Sequence, residues 1–127
     1  VARLTPGHTK GCTTWTMAVE EDGQTYDVAI IGSMGSNPNF QFVDNSDNPT
    51  IADEFKEGFR VLRSMSPDVP LGSHPAMYGM KEKYERMGDG PNPFIDPMGF
   101  RAELDPVEAL FLQVLAEQEA AAAENRR

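Results

Sequence analysis

The chain holds two histidines, His8 and His74, and one cysteine, Cys12. Imidazole is the commonest metal-binding side chain near neutral pH and can also move protons. His8 stands inside Leu4-Thr5-Pro6-Gly7-His8-Thr9-Lys10-Gly11-Cys12-Thr13-Thr14-Trp15. Pro6 and Gly7 break regular structure before it and Gly11 breaks it after, so a tight loop presents it between two extended segments. His74 ends the run Asp68-Val69-Pro70-Leu71-Gly72-Ser73 and is held extended by Pro75. Both histidines therefore stand where a strand gives way to a loop, a place where rigid scaffolds carry function. No HxH, HExxH or CxxC spacing accompanies them. A lone loop histidine is more often a structural hydrogen-bonder than a metal ligand, and the residues alone favour that reading. One cysteine makes no internal disulfide, and Cys12 reads as a small packed residue.

The elements that must position these side chains follow from periodicity. Residues 1–5 alternate as a strand already in progress, and residues 6–11 form the histidine loop. Residues 12–20 alternate again, with Trp15, Met17 and Val19 on one side and Thr14, Thr16 and Ala18 on the other. Asp22-Gly23 marks a hairpin into a return strand from Tyr26 to Ile31. Its run Val28-Ala29-Ile30-Ile31 predicts cover on both faces. Residues 32–50 form a long loop with apolar anchors at Phe40, Phe42 and Val43. Thr50 is expected to cap a helix reaching about Ser66, whose stripe is Ile51, Phe55, Phe59, Leu62 and Met65. Residues 80–87 predict a short helix with Lys81, Glu82, Lys83 and Glu85 exposed. Residues 88–99 read as a surface connection. The last helix is expected to start with Asp105 as cap, Pro106 in its first position and Glu108 closing a capping box. Its stripe is Val107, Leu110, Phe111, Val114 and Leu115. Residues 118–127 have high helix propensity and nothing to pack, so they are expected to fray. The whole is an α/β layer structure in a single domain over 1–127.

Composition excludes some functions. The formal net charge is −9, which opposes binding to a phosphate backbone, so no nucleic-acid partner is expected. No apolar window approaches the length of a membrane span, so no membrane partner is expected.

The motif around His8 resembles the third-histidine motif of metallo-β-lactamases, most closely the third subclass of class B, the di-zinc type. The resemblance continues through Ile31-Gly32-Ser33-Met34, Phe59-Arg60-Val61-Leu62-Arg63-Ser64 and Asp68 to His74. It runs on through Gly79-Met80-Lys81-Glu82-Lys83-Tyr84 and Gly90-Pro91-Asn92-Pro93-Phe94-Ile95-Asp96-Pro97. It implies the C-terminal half of an αββα sandwich, a mixed sheet with flanking helices. It implies two zinc ions per complete domain, with His8 matching the last ligand of the first and His74 the last ligand of the second. The other ligands lie in an HxHxDH motif that this chain does not contain. The N-terminal half of the same domain is thus the expected partner. No side chain of this chain is an expected catalytic nucleophile; that role falls to metal-bound hydroxide, which attacks a β-lactam amide. Ser33, Ser36 and Tyr78 are the expected substrate contacts, although the family's second serine position is Gly35 here. The resemblance further implies an antibiotic-resistance hydrolase of the bacterial periplasm or exterior, with this chain inactive alone. Hydrolysis of a lactone, ester or phosphoester on the same fold stays open, as does a non-catalytic fragment.

Overall fold

The computed structural model describes residues 1–127. Three strands come first: β1 (Ala2–Leu4), β2 (Thr13–Glu21) and β3 (Gln24–Ile31). After the long loop come α1 (Ile51–Arg63) and β4 (Val69–Gly72). A 3₁₀ turn (Pro75–Tyr78), α2 (Met80–Glu85) and α3 (Pro97–Asn125) complete the chain. The sheet order is β1-β2-β3-β4, antiparallel except for the parallel β3–β4 pair. The hairpin signal is met at Asp22 and Gly23, both at positive φ (52° and 75°), as a turn matching strand twist requires. No helix is long and apolar enough to cross a membrane.

This topology brings one set of strand ends together. The end of β1 pairs with the start of β2 (Leu4 with Thr13), and the start of β2 lies against the end of β3 (Trp15 with Ile30). The parallel pair then places the end of β4 beside the end of β3 (Gly72 with Ile31). The histidine loop, Ser33 and His74 all follow these ends and so share one edge of the sheet.

The core lies on one face only. Ala29 and Ile31 join Phe55, Phe59 and Leu62 of α1 and Phe100, Leu104, Phe111, Val114 and Leu115 of α3 in one buried cluster. On the other face, registered pairs set Trp15 beside Ile30 and Met17 beside Val28. There Trp15, Met17, Val19 and Ile30 are 54, 47, 43 and 37% exposed. The expected cover on both faces of β3 is therefore half present: this chain supplies helices for one side.

Three further expectations are corrected. The last helix begins at Pro97, and Asp96 is its cap, accepting from the Gly99 N–H at 3.0 Å. Pro106 lies inside the helix because Phe100 and Leu104, fully buried upstream of it, hold that first stretch against the core. Asp105 and Glu108 do not form a capping box; they bind Arg63 of α1 at 2.6 and 3.0 Å. Lys83 is buried rather than exposed, and its ammonium binds Asp96 at 2.9 Å, pinning α2 to the start of α3. Thr50 precedes α1 but makes no side-chain cap; its hydroxyl meets Asn48 and Glu54. The tail is helical to Asn125, and the Arg126 guanidinium reaches Asp44 at 3.0 Å.

Candidate metal centre

The His8 loop is built tightly against α1. The Thr5 N–H donates to the Cys12 carbonyl (2.8 Å), and the Gly7 and Cys12 N–H groups both donate to the Thr9 carbonyl (3.1 and 3.2 Å). Gly7 has φ +141°, and a Cβ there would lie 2.9 Å from the Phe55 ring. A side chain would thus be strained and would collide with α1. Beneath the loop, the buried hydroxyls of Thr5 and Thr14 bond each other at 3.0 Å.

His8 itself is exposed, with Nδ1 3.0 Å from the Gly35 carbonyl oxygen. A carbonyl only accepts, so in the neutral ring the proton sits on Nδ1 and the Nε2 lone pair is free. Metal-ligating histidines are commonly oriented in this way, by a backbone carbonyl on the other nitrogen. The ring also leans on Phe40, with centroids 6.0 Å apart at 46°.

His74 is also exposed and sits just before the 3₁₀ turn in extended conformation, φ −126° and ψ 139°. Its carbonyl accepts from the Met77 N–H at 3.0 Å, while its ring has no protein partner. The Ser73 hydroxyl next to it donates to the Gly32 carbonyl, joining the ends of β4 and β3. The Cys12 thiol donates to the Ser33 carbonyl at 3.6 Å, joining the loop to the same place. The part-buried Cys12 thus ties the loop rather than offering a reactive thiol.

Ser33 Oγ accepts from the Gly35 N–H at 3.3 Å, and its own proton meets no acceptor within the chain. Ser36 Oγ is buried without any partner. Tyr78 is half-buried, with its ring 6.4 Å from Phe94, and lines a cavity of about 240 Å³ with Met34, Met77, Lys83 and Phe100. Its placement differs from that of the two serines, which flank the His8 contact at Gly35.

As a donor set, the chain offers two outward imidazoles at one sheet edge. No group of three or more His, Cys, Asp or Glu side chains comes together to hold a metal. His8, oriented by the Gly35 carbonyl, fits a zinc ligand; His74 is exposed and unoriented, and each site is partial, since catalytic zinc needs three protein ligands.

Two contacts escaped the sequence reading. Phe40 against His8 depends on a loop conformation that no periodicity encodes. For Gln118 the sequence carried a signal for its face but not for its partners: it continues the α3 stripe of Phe111, Val114 and Leu115, seven, four and three residues on. Its amide accepts from the Phe42 and Val43 N–H groups (2.7 and 3.2 Å) and donates to the Phe40 carbonyl (2.7 Å).

The chain is thus a four-stranded sheet with helices on one face and both histidines just beyond the common strand ends. Known family profiles give no match to this chain. Solved structures do. The FEZ-1 metallo-β-lactamase from Legionella gormanii is 45% identical with a TM-score of 0.89, over 94% of this chain and 46% of that one. BJP-1, a subclass B3 enzyme of Bradyrhizobium japonicum, is 34% identical with a TM-score of 0.80, over 96% of this chain and 46% of its own. The class B3 di-zinc enzyme LRA-12 from an Alaskan soil metagenome is 26% identical, with a TM-score of 0.79 over 91% and 44% of the two chains. The chain belongs to the class B3 metallo-β-lactamases and corresponds to a C-terminal half of their fold. It spans about half the length of the relatives it matches.

Proposed function

We propose that the full-length protein is a zinc hydrolase that opens the amide bond of β-lactam antibiotics. The observation that carries this reading is the 45% identity to FEZ-1 over 94% of the chain. The Nδ1–H tautomer that the Gly35 carbonyl favours at His8 leaves Nε2 free and supports a ligand role. In this reading His8 serves one zinc ion and His74 the other, and the remaining ligands come from the half of the domain outside these 127 residues. Zinc, when bound, would acidify a water molecule and polarise the scissile carbonyl.

The chain's own residues would receive the substrate. The uncommitted hydroxyl proton of Ser33 can donate to a substrate carboxylate, and the buried, unpartnered Ser36 hydroxyl would become a second donor only by turning outward. Tyr78 would act as a wall of the pocket. The N-terminal half is the proposed cover for the open sheet face of Trp15, Met17, Val19 and Ile30. The periplasm or cell exterior is the proposed location.

The fragment alone is a second reading of the same facts, favoured by the absence of any three-ligand cluster. Zinc content and nitrocefin turnover, measured on the full-length protein and on the 127-residue chain, separate the readings. Two zinc ions and turnover are expected of the former, neither of the latter. Two zinc ions with every β-lactam left intact would redirect the proposal to another ester, lactone or phosphoester. Turnover by the short chain would refute the account of the shared ligands.

A further inference from the structure

We infer that Gln118 is a positioning residue for His8, acting through the loop that carries Gly35 and Phe40. Its link to metal binding rests on the zinc reading above.

The loop between β3 and α1 has no ladder to satisfy its backbone. Residues 36–50 bond largely among themselves and to Glu54 just beyond them. His8, Cys12 and Ser73 reach only its first residues, 32–35; beyond them two polar side chains arrive from elsewhere, both on or next to α3. Arg126 makes an exposed ion pair with Asp44. Gln118 does more: its one amide satisfies the Phe42 N–H, the Val43 N–H and the Phe40 carbonyl together. Glutamine is the side chain that can do so, because one end accepts twice while the other donates.

What Gln118 holds touches His8 directly. Phe40 stacks on Phe42 (5.9 Å, 13°), meets Phe55 edge-on (5.5 Å, 84°) and leans on the imidazole. Phe42 is wedged edge-on against both Phe55 and Phe111. Clamping the backbone at 40, 42 and 43 thus sets the Phe40 ring, and the same loop supplies the Gly35 carbonyl that fixes the His8 tautomer. Without the clamp, three part-buried backbone groups lose their partners, and the loop must move to find water.

The test is nitrogen NMR of the histidine rings in the metal-free full-length protein, with His74 as internal reference. The unchanged protein should show the Nδ1–H tautomer at His8. Gln118→Leu should lose the His8 Nδ1–H signal, mix the tautomers, leave His74 unmoved and bind zinc about tenfold more weakly. Val114→Ala, on the same helix, removes core packing without touching the loop backbone. It should lower the melting temperature yet keep the His8 signal, as should Arg126→Ala. Gln118→Glu keeps the two acceptor bonds and sets a carboxylate against the Phe40 carbonyl. It should keep Phe42 and Val43 amide protection while weakening the His8 signal, and it decides the matter if Gln118→Leu does not fold. An unchanged His8 signal in either Gln118 variant overturns the inference, as does equal loss in Val114→Ala. If the unchanged protein takes up no zinc, the metal reading fails, while the metal-free spectra still decide the role of Gln118.

Discussion

On one face of the sheet Ala29 and Ile31 are 0 and 3% exposed, in one cluster with the phenylalanines of α1 and α3. On the other, Trp15, Met17 and Val19 are roughly half open, although their alternation is as regular as any in the chain. Strand alternation marks a face as fit for burial. It does not say whose residues do the burying. The closed face is covered from within this chain. The open one is a contiguous apolar surface of the kind that marks a contact. The chain spans 46% of FEZ-1.

Three changes break or sharpen this contrast. The largest effect belongs to Phe111→Ala on the closed face. Phe111 is 1% exposed and contacts Phe42, Phe55 and Phe59, so truncation should cost about 3–5 kcal/mol, read by urea unfolding.

Next is Asp96→Ala, which strands the Lys83 ammonium in a site 9% exposed. Breaking such a pair costs up to about 3 kcal/mol, and less here because Asp96 is itself 34% exposed. The hydrogen bond from Lys83, against the opposing effect of burial, holds the Asp96 carboxyl below its usual 3.8, with Gly99 and Arg86 helping. A depressed folded value means that the pair's stability is complete above pH 3.8 and fades as pH falls through the lower value. Unfolding midpoints followed below that pH should therefore drop in the parent chain, and Asp96→Asn should lack this part of the drop.

The smallest effect is Trp15→Ala in the 127-residue chain, about 0.5 kcal/mol or less, since the ring is 54% exposed. In the full-length protein the same change should cost several times more. Trp15 is the chain's only tryptophan, so its fluorescence reports directly, with emission moving to the blue when the second half is present. Equal cost and equal emission in both contexts would show that the face stays open.

The hairpin at Asp22-Gly23, the stripe of α1 and the loop around His8 were all legible, because local sterics and period decide them. The start of α3 was not. Asp105-Pro106 carries a good helix-start signal, yet the burial of Phe100 and Leu104 outweighs it, and Asp96 caps nine residues earlier. Lys83 misled for a related reason: a lysine on a short helix is solvated unless a carboxylate from another element comes within reach, as Asp96 does. At the candidate centre, His8, Ser33 and His74 were picked out by position and resemblance. That they share one edge is a property of the β1-β2-β3-β4 order.

The sequence by itself determined the strands, the helix stripes, the two constrained histidines and the family resemblance. These rest on backbone conformation and on spacing within one element. Only the tertiary structure decided which sheet face is closed, that His8 carries its proton on Nδ1, and that Gln118 holds the loop beside it. Each of those depends on groups brought together from distant parts of the chain, and no local propensity encodes which hydrogen-bond partner will arrive.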